Sequence, residues 1–157
     1  MTMSISQQRK TAEAVVAAFN RMDVEAVISH RSPDCVRQFL PLSMGLKDQN
    51  NTTYFNSLIN LRAIFHNFYL TINDLVEDRD ARRICLSLNA RADTMAGEYV
   101  NEYMWLLDFD ESGTKIRRSK EFSDTVMERD FFPKLKAAME KQQAGQANGK
   151  AEVAKEF

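Results

Sequence analysis

Near residue 67 the apolar period of this chain changes, and that change restricts what it can fold into. In "TTYFNSLINLRAIFHN" the residues Phe55, Leu58, Leu61, Arg62 and Phe65 fall at helical spacing. Beyond it the period becomes two. "FYLTINDLVED", "RRICLSLNARAD", "YVNEYMWLLDF" and "TKIRRSKEFSD" read as four strands joined by short polar turns. A helical first half followed by a strand meander defines an α+β fold: a cone-shaped, curved antiparallel sheet wrapped around N-terminal helices.

The first half divides further. Ala12, Val15, Phe19 and Met22 share one helical stripe, and Ser4 to Gln7 has capping-box spacing. "DVEAVISH" follows as a second helix, with Asp23 as N-cap and Val24, Val27 and Ile28 facing inward, and Pro33 stops it. "DCVRQFLP" is a short strand closed by Pro41, and "SMGLKDQNN" is a loop. Asp124 reads as a turn or cap residue. The last helix is expected to begin near Asp130, with Pro133 in its first turn and Phe131, Leu135 and Met139 on its apolar stripe. A length of 157 residues suits a single domain, expected over 1–140, with a polar, frayed or disordered tail over 141–157.

Charge narrows the partners. Twenty-one Lys and Arg balance 22 Asp and Glu, so no net charge draws the chain to nucleic acid or to an anionic membrane. No signal-peptide core and no bilayer-length apolar run is visible, which makes a soluble, cytoplasmic protein the expectation. Cys35 and Cys85 have no metal-ligand spacing and read as buried thiols; no metal site is expected.

The "DESGT" connection sets the strand faces. Asp110, Glu111 and Ser112 suit a type I turn, and Gly113 suits the left-handed position closing a three-residue hairpin loop. Counting back from Asp110 opposite Thr114 puts Trp105 opposite Ser119, Tyr103 opposite Glu121 and Asn101 opposite Ser123. These residues share one face. Val100, Met104, Leu106, Ile116 and Phe122 lie on the other. In the preceding strand Leu86, Leu88 and Ala90 share one parity, while Cys85, Ser87, Asn89, Arg91 and Asp93 share the other. Rings mixed with polar groups suit a lined cavity, so the polar set is placed inside. The aliphatic set is then placed outside, under a second subunit.

This element order, with "HRSPDCVRQFLP", "GEYVNEYMWLLDFDESGTKI" and "KEFSD…FFPKL", resembles the SnoaL-like branch of the nuclear transport factor two-like superfamily, in particular its small fungal isomerases and cyclases of polyketide and meroterpenoid pathways. The likeness spans about residues 8–140. It implies a cone-shaped barrel, dimeric through the outer sheet face, with a deep pocket and no cofactor. It also implies acid–base isomerisation or cyclisation of a small hydrophobic, polycyclic substrate. The same scaffold hosts dehydratases, epoxide or lactone hydrolases and non-catalytic dimeric binding modules.

Limonene epoxide hydrolases of this superfamily carry Arg-x-Asp on one strand and an acid near the end of the last. Arg91, Asp93 and Glu121 match those places, and Arg37 and Phe39 precede a proline where those enzymes have Tyr and Asn. Glu121 is the expected base, as burial beside Tyr103 and Trp105 raises a carboxyl towards the working range. Arg91 and Asp93 form an orienting pair, and Arg37 or Tyr103 stabilises an oxyanion. Asn101, Trp105, Phe39 and Leu58 line the substrate wall, and Tyr54 and Phe55, on the third helix, close its mouth. His66, taken as ending that helix, joins the substrate set for its titration range, against a plain helix-end role.

Overall fold

The computed structural model describes residues 4–153, with side chains to residue 147. Helix α1 (Gln7–Asn20) is capped by Ser6, whose hydroxyl accepts from the Arg9 amide at 3.1 Å, two residues later than the spacing from Ser4 suggested. Its stripe of Ala12, Val15 and Phe19 is buried. Helix α2 (Val24–Ser29) is capped by Asp23 as expected. Strand β1 (Arg31–Leu40) starts before Pro33 and runs through it, which brings Arg31 into the sheet. A short 3₁₀ turn (Leu42–Met44) leads to α3 (Asn51–Ile64), capped by Asn50.

Four strands follow: β2 (His66–Asp78), β3 (Arg83–Thr94), β4 (Gly97–Phe109) and β5 (Ile116–Ser123). The sheet order is β1-β5-β4-β3-β2. The meander is antiparallel, as its short turns require, but β1 joins β5 in parallel. The chain leaves β1 through α3 and the whole meander before returning alongside it, a detour that permits parallel pairing. Helix α1 is fastened to the strand edges by polar contacts. Asn20 exchanges hydrogen bonds with the Leu70 backbone at 2.7 and 3.1 Å, and the Thr11 hydroxyl donates to the Gly113 carbonyl at 2.7 Å.

The hairpin between β4 and β5 departs from its expected register by two residues. Asp110 and Lys115 bracket four loop residues rather than three, which moves the pairing by one. A bulge at Arg117 then moves it by one more, since Asp108 pairs with Arg118 but Phe109 with Ile116. Two single steps restore the parity. Trp105 therefore faces Glu121, Leu107 faces Ser119 and Tyr103 faces Ser123, all still on the inner side. Ile116 lies on the near side of the bulge and so turns inward, 2% exposed, against the outer placement expected for it.

Strand β3 corrects the face assignment more sharply. Leu86, Leu88 and Ala90 pair with Trp105, Tyr103 and Asn101 and are fully buried inside the cone. Burial of leucine is worth about 1.5–3 kcal/mol, and the concave face under α1 is where that gain is available without a partner subunit. The opposite parity, carrying Arg91 and Asp93, must then face outward.

Helix α4 (Thr125–Val153) also begins earlier than expected. Asp124 Oδ1 accepts from the amides of Val126 and Met127, so Asp124 is the cap, and Asp130 instead pairs with Arg129. Pro133 lies inside the helix, not in its first turn. Met127 extends the stripe of Phe131, Leu135 and Met139 backwards in steps of four, which holds the first turns against the barrel. The helical backbone continues through the expected tail as far as Val153, with residues 141–147 exposed. Residues 154–157 of that tail lie outside the described residues. No described helix is long and apolar enough to cross a membrane.

Candidate active site

Inside the cone the inner residues of β1, β4 and β5 and the buried side of α3 enclose a cavity of about 210 Å³. Parallel pairing of β1 with β5 places Phe39 beside Glu121 and Arg37 one step away. Arg37 grips the Glu121 carboxylate in a forked contact. Its Nη2 donates to Oε1 and Oε2 at 2.8 Å, and its Nε donates to Oε2 at 3.3 Å. Only 14% of the arginine and 12% of the carboxylate side chain is exposed. The remaining nitrogen, Nη1, donates to Gln49 Oε1 at 2.9 Å. The guanidinium is sandwiched between the rings of Phe39 and Tyr54, each centroid 4.3 Å away. Burial by itself would lower the Arg37 pKa, but the charge of Glu121, with Tyr54 and the hydrogen bonds, holds it above its ordinary value. This arginine is a permanent cation.

Across the cavity the hydroxyls of Tyr99 and Tyr103 are hydrogen-bonded to each other. Asn101, 2% exposed between them, donates from Nδ2 to Tyr99 Oη at 2.9 Å. Burial pushes Tyr99 up to about 12, against the lowering effect of its hydrogen bonds, and raises Tyr103 well above its ordinary value. Both phenols are therefore O–H groups across the neutral range. Asn101 Nδ2 also meets Tyr103 Oη at 3.4 Å, and either hydroxyl can be the donor between the two tyrosines; when Tyr99 donates, the Tyr103 proton is available to the cavity.

The first turn of α4 adds Glu128, half-buried, whose carboxyl is raised by desolvation and meets Asn101 Nδ2 at 3.4 Å. Leu58, Leu61, Phe65 and Phe132 complete an apolar wall. Through Leu61, Phe65 and Phe132 the cavity adjoins an apolar groove of about 490 Å³ between α3 and α4. Among the described residues no group of three or more His, Cys, Asp or Glu is placed to hold a metal ion.

Of the residues singled out by sequence, Arg37, Phe39, Tyr54, Leu58, Tyr103, Trp105 and Glu121 line the cavity, and Asn101 lies directly behind its tyrosines. Four do not belong to it. Phe55 is half-buried and packs against the core instead. Arg91 pairs with Glu98 on the outer face at 2.8 Å, with side chains 68% and 54% exposed, an ion pair of little energetic weight. Asp93, also outward, accepts from Asn67 Nδ2. His66 opens β2 rather than ending α3 and is exposed, opposite Asp93. Tyr54 is 4% exposed and lies beneath Arg37 rather than closing the mouth. Cys35 is buried as expected, whereas Cys85 is only half-buried on the outer face.

Sequence reasoning missed Tyr99 and Glu128. Tyr99 has the parity of Asn101 and Tyr103, which was signal enough. Glu128 needed the earlier helix start, and the four-residue step from Met127 to Phe131 was its trace.

No family model matches the chain. It is 30% identical over 135 residues to the austinoid biosynthesis clusters protein H of Penicillium brasilianum, covering 81% of this chain and 89% of that protein. The crystal structure of the BvnE pinacolase from Penicillium brevicompactum superposes with a TM-score of 0.81 at 30% identity, covering 85% and 96% of the two chains. A SnoaL-like polyketide cyclase from Shewanella denitrificans shares the fold at 10% identity, with a TM-score of 0.67 over 78% of this chain and 94% of that one. This chain belongs to the SnoaL-like branch of the nuclear transport factor two-like superfamily. A SnoaL-like barrel with this inner wall also has relatives named for other chemistry. A protein named monooxygenase dmxR10, from Cryptosporiopsis, is 28% identical over 134 residues, covering 84% of this chain and 89% of that protein.

Proposed function

We propose that this SnoaL-like protein is a cofactor-independent acid–base isomerase or cyclase of fungal secondary metabolism, acting on a hydrophobic polycyclic intermediate. The observation that carries this reading is the meeting, in one largely apolar cavity, of a carboxylate clamped by a cation and a phenol pair that remains protonated. Glu121 takes a proton from a carbon next to a carbonyl group. Tyr103 donates to the oxygen on which the charge collects, with Tyr99 and Asn101 holding its hydroxyl in place. The proton returns at another carbon, or the enolate closes a ring, so that no atom is gained or lost. Glu128, whose burial favours the protonated carboxyl, is a second proton source on the α4 side. The apolar wall and the adjoining groove suit the hydrocarbon body of such a substrate. Relatives named for austinoid biosynthesis and as a pinacolase support the pathway class.

The test is turnover of the intermediate that accumulates when the gene is deleted, followed by mass spectrometry. A product of unchanged mass is expected, together with loss of turnover in Glu121→Gln and Tyr103→Phe. Full activity in Glu121→Gln would remove the proposed base. Gain or loss of water would indicate a hydrolase or dehydratase. The relative named as a monooxygenase gives oxygenation as a second reading, and gain of oxygen would favour it.

The outer sheet face is proposed to carry a second copy of the chain. Met104 and Phe122 are neighbours there, 47% and 48% exposed, with Val100 along the same strand. Leu86 and Leu88, turned inward, contribute nothing to that surface.

A further inference from the structure

A second, much smaller chamber of about 20 Å³ shares Arg37, Tyr54, Trp105 and Glu121 with the cavity wall and is lined further by Arg31 and Ser119. Arg31 is 7% exposed. Its Nε donates to Asn51 Oδ1 at 2.9 Å, its Nη1 donates to Ser119 Oγ at 3.0 Å, and its plane lies over the Tyr54 ring. Burial draws the guanidinium below its ordinary pKa. Among the described residues no carboxylate lies within ion-pair distance of it, and its Nη2 has no acceptor. The indole Nε1 of Trp105, also 7% exposed, has none either.

Two deeply buried donors thus belong to residues lining one chamber. Native proteins rarely leave such groups unmet, because each lost bond costs the desolvation of the donor. A volume of about 20 Å³ exceeds the roughly 10–15 Å³ that one water needs and leaves no room for an organic ligand. A water also requires an acceptor. Glu121 Oε2 receives two contacts from Arg37 but Oε1 only one, so a lone pair on Oε1 remains.

We propose that the chamber is a binding site for a single water molecule, which accepts hydrogen bonds from Arg31 Nη2 and Trp105 Nε1 and donates one to the Glu121 carboxylate. The water connects a buried cation that has no counter-ion to a carboxylate already held by Arg37. Glu121 then has all four acceptor positions occupied, so the proton transfer proposed for it requires this water or an Arg37 contact to give way. The significance of that for catalysis rests on the proposed function, but occupancy of the site does not.

Trp105 is the only tryptophan, so the ¹⁵N-labelled protein gives a single indole N–H resonance. Water-selective nuclear Overhauser measurements on the full chain are expected to show a direct, long-lived water contact at that resonance, and to lose it in Arg31→Met. A high-resolution crystal structure of the parent protein should place one water within hydrogen-bond distance of both donors. No water contact at the indole, an unchanged contact in folded Arg31→Met, a dry chamber, or a halide or rotated side chain on the two donors would each overturn the proposal. If Arg31→Met does not fold, the parent resonance and the parent crystal structure decide. None of these readouts involves turnover, so they stand apart from the test of the acid–base reading.

Discussion

Replacing Arg37 by methionine removes the cation but leaves Glu121 on the cavity wall. Both side chains are more than four-fifths buried, and breaking such a pair on one side costs about 3–5 kcal/mol, because the survivor is left as an unpaired charge. Water entering the cavity softens that cost, which favours the lower end, about 3 kcal/mol. A chain of this size loses roughly 2–4 °C in Tm per kcal/mol, so Arg37→Met should melt about 6–12 °C below the parent. Glu121→Met leaves Arg37 as the buried survivor, still bonded to Gln49 and packed on the Phe39 and Tyr54 rings, and should cost less. The double variant Arg37→Met/Glu121→Met removes both charges and supplies apolar volume, so it should lie well above the sum of the single effects, with a coupling of about 2 kcal/mol. Calorimetry and urea unfolding followed by Trp105 fluorescence measure the cycle, since Trp105 is packed against Phe19 at 5.3 Å. The reading also requires the stable double variant to be inactive. A cycle additive to within about 0.5 kcal/mol would show that the two groups do not sense each other, and the clamp would fail as an account of Glu121.

Other variants probe other elements. Because burial raises the Glu128 carboxyl above its ordinary value of 4.5, the folded protein binds its proton more tightly than the unfolded chain. The resulting stability is full below that value and is lost as pH rises through the folded pKa; Glu128→Gln should flatten that part of a Tm-against-pH curve, and an unchanged slope would refute the assignment. Gly113 has φ +72°, and a Cβ there would come within 2.9 Å of the Gln8 backbone nitrogen, so Gly113→Ala should cost about 1–3 kcal/mol in chemical denaturation. On the outer face, Met104→Lys with Phe122→Asp should convert a dimer to a folded monomer in sedimentation; a parent that is already monomeric at micromolar concentration would dismiss the second subunit.

Much of this molecule was legible without coordinates, and the reasons are local. The switch from period 3.6 to period 2 fixed the α+β order, since each period commits one side of an element to the core. Asp23 marked the start of α2 through its own hydrogen bond, and Gly113 marked its turn through a backbone conformation that side chains disfavour. The grouping of Asn101, Tyr103, Trp105 and Glu121 on one face also follows from sequence parity, and it survived a register error only because the longer loop and the Arg117 bulge moved it by an even number.

What parity cannot supply is which side of a strand meets the core. Along β3 both sets of alternating residues were plausible linings, and only the packing of α1 onto the sheet decided that Leu86 and Leu88 turn inward and that Arg91 and Asp93 turn out. The same holds for contacts between elements far apart in the chain. Arg37 meets Glu121, and Arg31 meets Ser119, because β5 returns to lie parallel to β1 after α3 and strands β2 to β4 have intervened. Local sequence carries propensity, caps and parity. The face chosen by a strand and the partner found by a buried charge are set by how burial is maximised over the whole chain, which exists only once the sheet has closed on its helices.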